Sequence, residues 1–260
     1  MGGRLAAILS CLLLSAAARP SEPEADREGK EPQVLAPGWT ELEYEPPAAG
    51  SYQLPPIGSA GDGRVLDSNG GSTTLHSLMG DRVVVMSFIY SSCSDANGCP
   101  LATHVLARLR KRLQESPGGT ADIRFISLSF DPTRDTPEVM RKYGSRFADE
   151  TFDWRFLTTG GPAELAPLLE SYGQSIVRDP DSEDGAEGAI SHVLRVYLID
   201  RERNIRNIYS ASYLHADTMF NDIRTLQGEA TRPVAGTLAL QGPGDVKEGY
   251  EAADYRTRAQ

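Results

Sequence analysis

Two unbroken apolar runs, Val83–Tyr90 (VVVMSFIY) and Ile123–Phe130 (IRFISLSF), limit this chain more than any other feature. Both are rich in β-branched and aromatic residues, and neither alternates apolar with polar. A strand of that composition must be covered on both faces, which places it inside a parallel or mixed sheet. After the first run, Leu101, Val105, Leu109 and Leu113 recur every fourth residue and predict one core-facing helical stripe. Pro100 suits the start of that helix, where a missing N–H costs nothing. The second run leads into Asp131-Pro132-Thr133-Arg134-Asp135-Thr136-Pro137 and a predicted helix over Pro137–Phe147. Asp131-Pro132 reads as a turn, and Asp135 and Thr136 as the helix cap, a simpler account than one in which Asp131, Arg134 and Asp135 shape a site or a partner surface.

A short strand at Trp154–Leu157 and a helix over Pro162–Tyr172, ended by Gly173, follow. The acidic stretch Arg178–Gly188 reads as a surface loop. Val193–Ile199 and Ile205–Tyr209 form a predicted hairpin across DRERN, and Ala216–Leu226 is a last helix. Upstream, Ser68-Asn69-Gly70-Gly71 is a turn signal able to close a small hairpin. Strands alternating with helices and ending in a hairpin predict an α/β fold around a mixed sheet flanked by helices.

The ends differ from this body. Residues 1–18 have the form of a secretory signal peptide: Arg4, an apolar stretch from Leu5 to Leu14, then Ala16-Ala17-Ala18. That stretch is too short for a spanning helix, although left uncleaved it would serve as a membrane tether. Residues 19–50, rich in Pro, Glu and Ala, read as a flexible N-terminal arm. Residues 51–228 hold the periodic segments, and 229–260 form a polar C-terminal tail. The net charge of −10 argues against phosphate-backbone binding, so no nucleic-acid partner is expected. Arg108–Arg112 is read as a solvated helix face.

Beyond the signal segment the only cysteines are Cys93 and Cys99, at the end of the first buried strand. Open α/β sheets place ligands at strand ends of this kind. Cys99 adjoins the predicted helix start, whose N–H groups favour a thiolate. The loop Ser94–Gly98 has no bulky side chain and can bring both sulfurs to disulfide distance or onto one metal ion. Of the four histidines, His76 falls at a loop or strand edge. His104 falls on the polar side of the first helix, and His215 just ahead of the last. His192 differs, standing at the entry to the strand VLRVYLI.

Taken together, VVVMSFIYSSC…CP, FISLSFDPTRDTPEVMRKYGSRF, LTTGGPAELAPLLESYG and ISHVLRVYLID resemble the Sco/SenC family across roughly Tyr52–Leu226. The resemblance implies a thioredoxin-like three-layer fold and a copper chaperone of cytochrome c oxidase assembly. It also implies a copper site at Cys93, Cys99 and His192. Two thiolates and an imidazole suit Cu(I), and the imidazole also suits Cu(II); zinc would want a fourth ligand. Asp95 and Asn97 are explained by turn formation. The family usually spaces its cysteines as C-x3-C, whereas five residues intervene here, which loosens the preorganisation of the pair.

The expected function is therefore that of an exported metallochaperone, periplasmic or membrane-anchored facing the periplasm. It would deliver copper to an acceptor metalloprotein such as cytochrome c oxidase. The alternative is a thiol–disulfide oxidoreductase acting on an exported thiol partner, with Cys93 and Cys99 as its redox pair and, when oxidised, its disulfide. In that role Cys93 attacks if exposure decides, and Cys99 if the helix dipole does. Thioredoxin-like reductases carry a proline before a late strand. Ile190-Ser191-His192 occupies that place here, which favours the metal site.

Overall fold

The computed structural model describes residues 39–40, 42–147, 149–178 and 190–231, all within one unit, Val34–Gln260. The signal segment 1–18, the tail from 232, most of the arm and the acidic loop 179–189 lie outside the described residues. In chain order the elements are β1 (Gly58–Ser59), β2 (Arg64–Leu66), β3 (Ser72–Thr74), α1 (Leu75–Met79), β4 (Val83–Ile89) and α2 (Cys99–Glu115). There follow β5 (Ile123–Ser129), α3 (Pro137–Gly144), β6 (Trp154–Leu157) and α4 (Pro162–Ser171). The last are β7 (Ile176–Arg178), β8 (Ile190–His192), β9 (Arg195–Ile199), β10 (Asn204–Ser210) and α5 (Ala216–Thr231).

The central sheet has six strands in the order β1-β10-β9-β4-β5-β6. β4, β5 and β6 run parallel, β9 pairs antiparallel with β4, and β10 pairs antiparallel with β9. The sheet is thus mixed, with β4 near its middle between β5 and β9. Every residue of β4 is buried, as an unbroken apolar run requires. Its alternate side chains serve two cores. Val83 and Val85 meet Leu101, Val105, Leu109 and Leu113 of α2 and Ile223 of α5. Val84, Met86 and Phe88 face the opposite way, towards Leu165, Leu168 and Tyr172. Helices on both faces of the sheet give the three layers expected.

Several local forecasts hold in detail. The turn at residues 68–71 closes the β2–β3 hairpin, and β6 spans the four residues read from the sequence. Thr136 caps α3, its side chain accepting from the Val139 N–H. Gly173, at φ +59°, follows α4 in the left-handed conformation that glycine adopts most easily.

Other elements differ. α3 ends at Gly144 rather than Phe147, and α5 runs to Thr231. Asp135 is no cap; its carboxylate turns inward. β7 and β8 form a separate two-stranded ribbon, so His192 closes β8 instead of opening the strand β9, which begins at Arg195. Of the arm, residues 39–40 and 42–50 are described, and they make contacts with the body. Trp39 donates its indole N–H to Leu214 O at 3.0 Å and stacks on His215, Asn221 donates to Pro47 O, and Gly50 N–H donates to Thr225. Among the described residues no helix is long and apolar enough to cross a membrane.

Candidate metal centre

The site forms where β4 ends. Tyr90, directly after β4, is buried, and its backbone N–H points at Cys99 Sγ (3.4 Å). The chain then turns out through Ser91 and Ser92 to half-buried Cys93. It returns through the exposed loop 94–96, where Asp95 accepts from Asn97 N–H in a local turn. Gly98 and Cys99 are buried, with Gly98 at the N-cap and Cys99 the first residue of α2. Five residues between the cysteines thus do not part them; the loop bulges and both thiols face the same place. They are free thiols, and an open cleft of about 370 Å³ reaches them between Tyr90, Pro100, Thr103 and Tyr143.

His192 arrives from the ribbon. Its Nε2 lies 3.8 Å from Cys99 Sγ, across 93 positions of sequence. The imidazole leans on Phe130, with ring centroids 4.4 Å apart, and meets the edge of Tyr90 at 6.1 Å. Its Nδ1 is buried and has no hydrogen-bond partner among the described residues. His76, by contrast, is bound to Ala60 O and Asp62 in α1, His104 is exposed on α2, and His215 stacks under Trp39. These three stay outside the centre.

The two thiols are electrostatically unlike. Cys93 is held down to about 4, first because the Cys99 thiol donates to it, and further by His192 and Tyr90; burial opposes the shift. Cys99 is raised, as the donor of that bond and as a buried group next to a thiolate. The Tyr90 hydroxyl is also raised, chiefly by burial and then by Cys93. Of the two alternatives for the attacking sulfur, exposure and charge select Cys93 over the helix-start cysteine.

The donor set suits a soft ion: one thiolate already formed, a thiol beside it and an imidazole nitrogen aimed at that thiol. Among the described residues, no three His, Cys, Asp or Glu side chains stand close enough together to hold a metal as they are. Cys99 and His192 meet, and Cys93 lies on the looser limb beside them.

Sequence reasoning understated the segment after β5. Asp135 is almost fully buried and accepts from Ser91 N–H (3.0 Å), from Ser91 Oγ and from Ser129 Oγ (2.6 Å). It clamps the limb that leads to Cys93. Ser129 Oγ in turn accepts from Asp131 N–H at 2.9 Å. Asp131, also buried, spans Arg134 of its own turn (3.5 Å) and Arg178 of β7 (3.0 Å). Asp131 and Arg178 stand 47 positions apart, and the sequence puts Arg178 at the start of a surface loop, so nothing local marks them as a pair. The only signal was two aspartates directly after a buried strand, where α/β folds gather their sites.

Residues 60–228 match the family model described as SCO1/SenC. A SCO1 protein homolog from Bacillus subtilis is 27% identical over 157 residues, covering 60% of this chain and 75% of that protein. Among solved structures, Arabidopsis thaliana ScoI with copper bound superposes with a TM-score of 0.57 at 20% identity, over 65% of this chain and 98% of that one. BsSco, described through a disulfide switch and as a member of the Sco family of cytochrome c oxidase assembly proteins, gives 0.54 at 22% identity, over 67% and 96%. These likenesses establish the thioredoxin-like fold.

Proposed function

Because the chain belongs to the SCO1/SenC family, we propose that it is an exported metallochaperone that holds copper through Cys93, Cys99 and His192. It would pass the ion to a partner metalloprotein such as cytochrome c oxidase, whose assembly the family of the BsSco structure serves. The observation that carries this reading is the approach of His192 Nε2 to Cys99 Sγ beside the Cys93 thiolate. Cys93 is the natural point of exchange. It is the more exposed sulfur and already charged, so an incoming soft donor can meet it without a prior deprotonation. Cys99, more deeply set, and His192 beside it would retain the ion until the acceptor has engaged. Export is supported by the form of residues 1–18, which leaves the protein either free or tethered on the periplasmic side.

Anaerobic titration of the reduced protein is expected to show one Cu(I) per chain, with X-ray absorption reporting two sulfurs and one nitrogen. Cys93→Ser and His192→Ala are each expected to weaken binding at least tenfold, since each removes a ligand from a set with none to spare. Stoichiometric binding of wild-type strength in either variant would remove the proposed site.

A specific observation also favours the second reading, thiol–disulfide exchange on an exported partner. A low-pKa, half-exposed Cys93 next to a buried, protonated Cys99 is the arrangement of an attacking and a resolving thiol. In that step the Cys93 thiolate attacks a partner disulfide and releases one partner thiolate. Cys99, passing its proton to the partner thiolate just released, then displaces the second partner sulfur as a thiolate and leaves the Cys93–Cys99 disulfide. Trapping a mixed disulfide on Cys93 in the Cys99→Ser protein tests it, and modification at neither sulfur excludes it.

A further inference from the structure

A histidine that ligates a metal through one ring nitrogen is ordinarily oriented by a hydrogen bond at the other. Among the described residues His192 lacks that device, since its buried Nδ1 has no partner there. Contact with Phe130 supports one face of the ring but leaves it free to slide along that surface. What fixes the imidazole must therefore be the backbone that carries it.

That backbone is slender. β8 has three residues and pairs with the three of β7, Arg178 opposite Ile190 and His192 opposite Ile176. The ribbon stands apart from the six-stranded sheet, and a two-stranded ribbon is marginal by itself. Among the described residues, two polar contacts at the Arg178–Ile190 rung join it to the residues around the site. The Tyr90 hydroxyl donates to Ile190 O at 3.3 Å, and Arg178 Nη2 donates to Asp131 Oδ1 at 3.0 Å. Only the second carries formal charge. Its acceptor is 2% exposed at the side chain and held from behind by Arg134 and by the turn at the end of β5.

We infer that Asp131 is a positioning residue of the centre: through Arg178 it sets where His192 stands relative to the cysteines, although it touches none of the three. Asp135, four places on, holds the opposite limb through Ser91. The segment after β5 thus clamps the sulfur side and the nitrogen side by separate carboxylates. The inference rests on the proposed copper site, but its first readout does not involve copper.

Arg178→Gln is the variant of choice. Arg178 is 40% exposed, and Asp131 keeps Arg134, so no buried charge is stranded. In the reduced, metal-free full chain, amide hydrogen exchange at residues 190–192 is expected to quicken about tenfold or more, with β4 amides unchanged. Cu(I) affinity, read by competition with a chromogenic chelator, is expected to fall by about 10-fold or more, with weakened nitrogen scattering. The rate of Cys93 with a neutral aromatic disulfide should stay as in the parent, because the sulfur limb hangs on Asp135. Arg178→Lys should restore part of the protection and affinity. Unchanged exchange at 190–192 overturns the inference, as does faster exchange with undiminished affinity and nitrogen scattering. A parent protein that takes up no copper overturns the proposed function instead, and the exchange measurement still decides the role of Asp131.

Discussion

Cys99→Ala is expected to deplete the Cys93 thiolate at mildly acid pH. The lowering of Cys93 to about 4 comes first from the Cys99 thiol hydrogen. Without it, Cys93 moves back towards an ordinary thiol value of about 8.5, as far as His192 and Tyr90 allow, and its thiolate fraction near pH 6 falls. Thiolate ultraviolet absorbance, followed from acid to alkaline pH, reads this directly. Stability follows with a definite sign. A depressed thiol pKa contributes stability that is full above the unfolded value and is lost as pH falls through about 4. Cys99, raised, contributes in the opposite sense: its share is full below the unfolded value and is lost progressively as pH rises from there towards the folded one. The reduced protein is therefore expected to lose stability from this pair both in acid and in strong alkali, and Cys99→Ala to lose both dependences. A Cys93 titration that is unmoved in the variant would mean that His192 and the helix start hold the charge instead.

Phe130→Ala is expected to be among the costliest single changes in the core, at about 3–5 kcal/mol of unfolding free energy. Phe130 is fully buried, stacks on Phe88 at 5.5 Å, and supports His192 on its other side. Phe88 itself meets Tyr172 and Tyr197 edge-on, so the cavity would open within a cluster of rings that cannot easily collapse. Denaturant unfolding measures the loss. Phe130→Leu, which keeps most of the volume, is expected to recover most of the stability but not the flat face under the imidazole. It should therefore separate copper affinity from fold stability. A cost below about 1 kcal/mol for the alanine variant would show that the rings repack, against the close packing argued here.

The elements that were legible in the sequence are those whose signal is local. Continuous hydrophobicity marked β4 and β5, four-residue spacing marked α2, and Thr136 and Gly173 marked helix ends through their own side chain or lack of one. β7 could not be seen, because Ile176–Arg178 is too short to show a period and becomes a strand only by pairing with Ile190–His192. Asp135 was misjudged for a related reason. Next to a helix start, an aspartate reads as a cap, and nothing local says that Ser91 and Ser129 will meet it. The nearness of His192 to Cys99 came from the family resemblance rather than from spacing, and so did the reading of the pair as a metal centre. The asymmetry of the two sulfurs was open in the sequence, because exposure and helix position pointed at different cysteines. Burial decided it.

The distance in sequence between Cys99 and His192 has a bearing on how the protein is made. A chain emerging from its N-terminus carries its dithiol long before its imidazole, and the two can meet only after 93 residues have been gathered into a closed loop. β9, which follows His192 and seals the far side of β4, must also leave its place in the growing chain and cross back to the first strands. A nascent or half-folded molecule therefore presents two thiols without the nitrogen that would make them a three-donor set. On the proposed site, full copper capture would be a property of the finished fold alone, so that an incompletely folded chain would compete poorly for the ion and have little to give away.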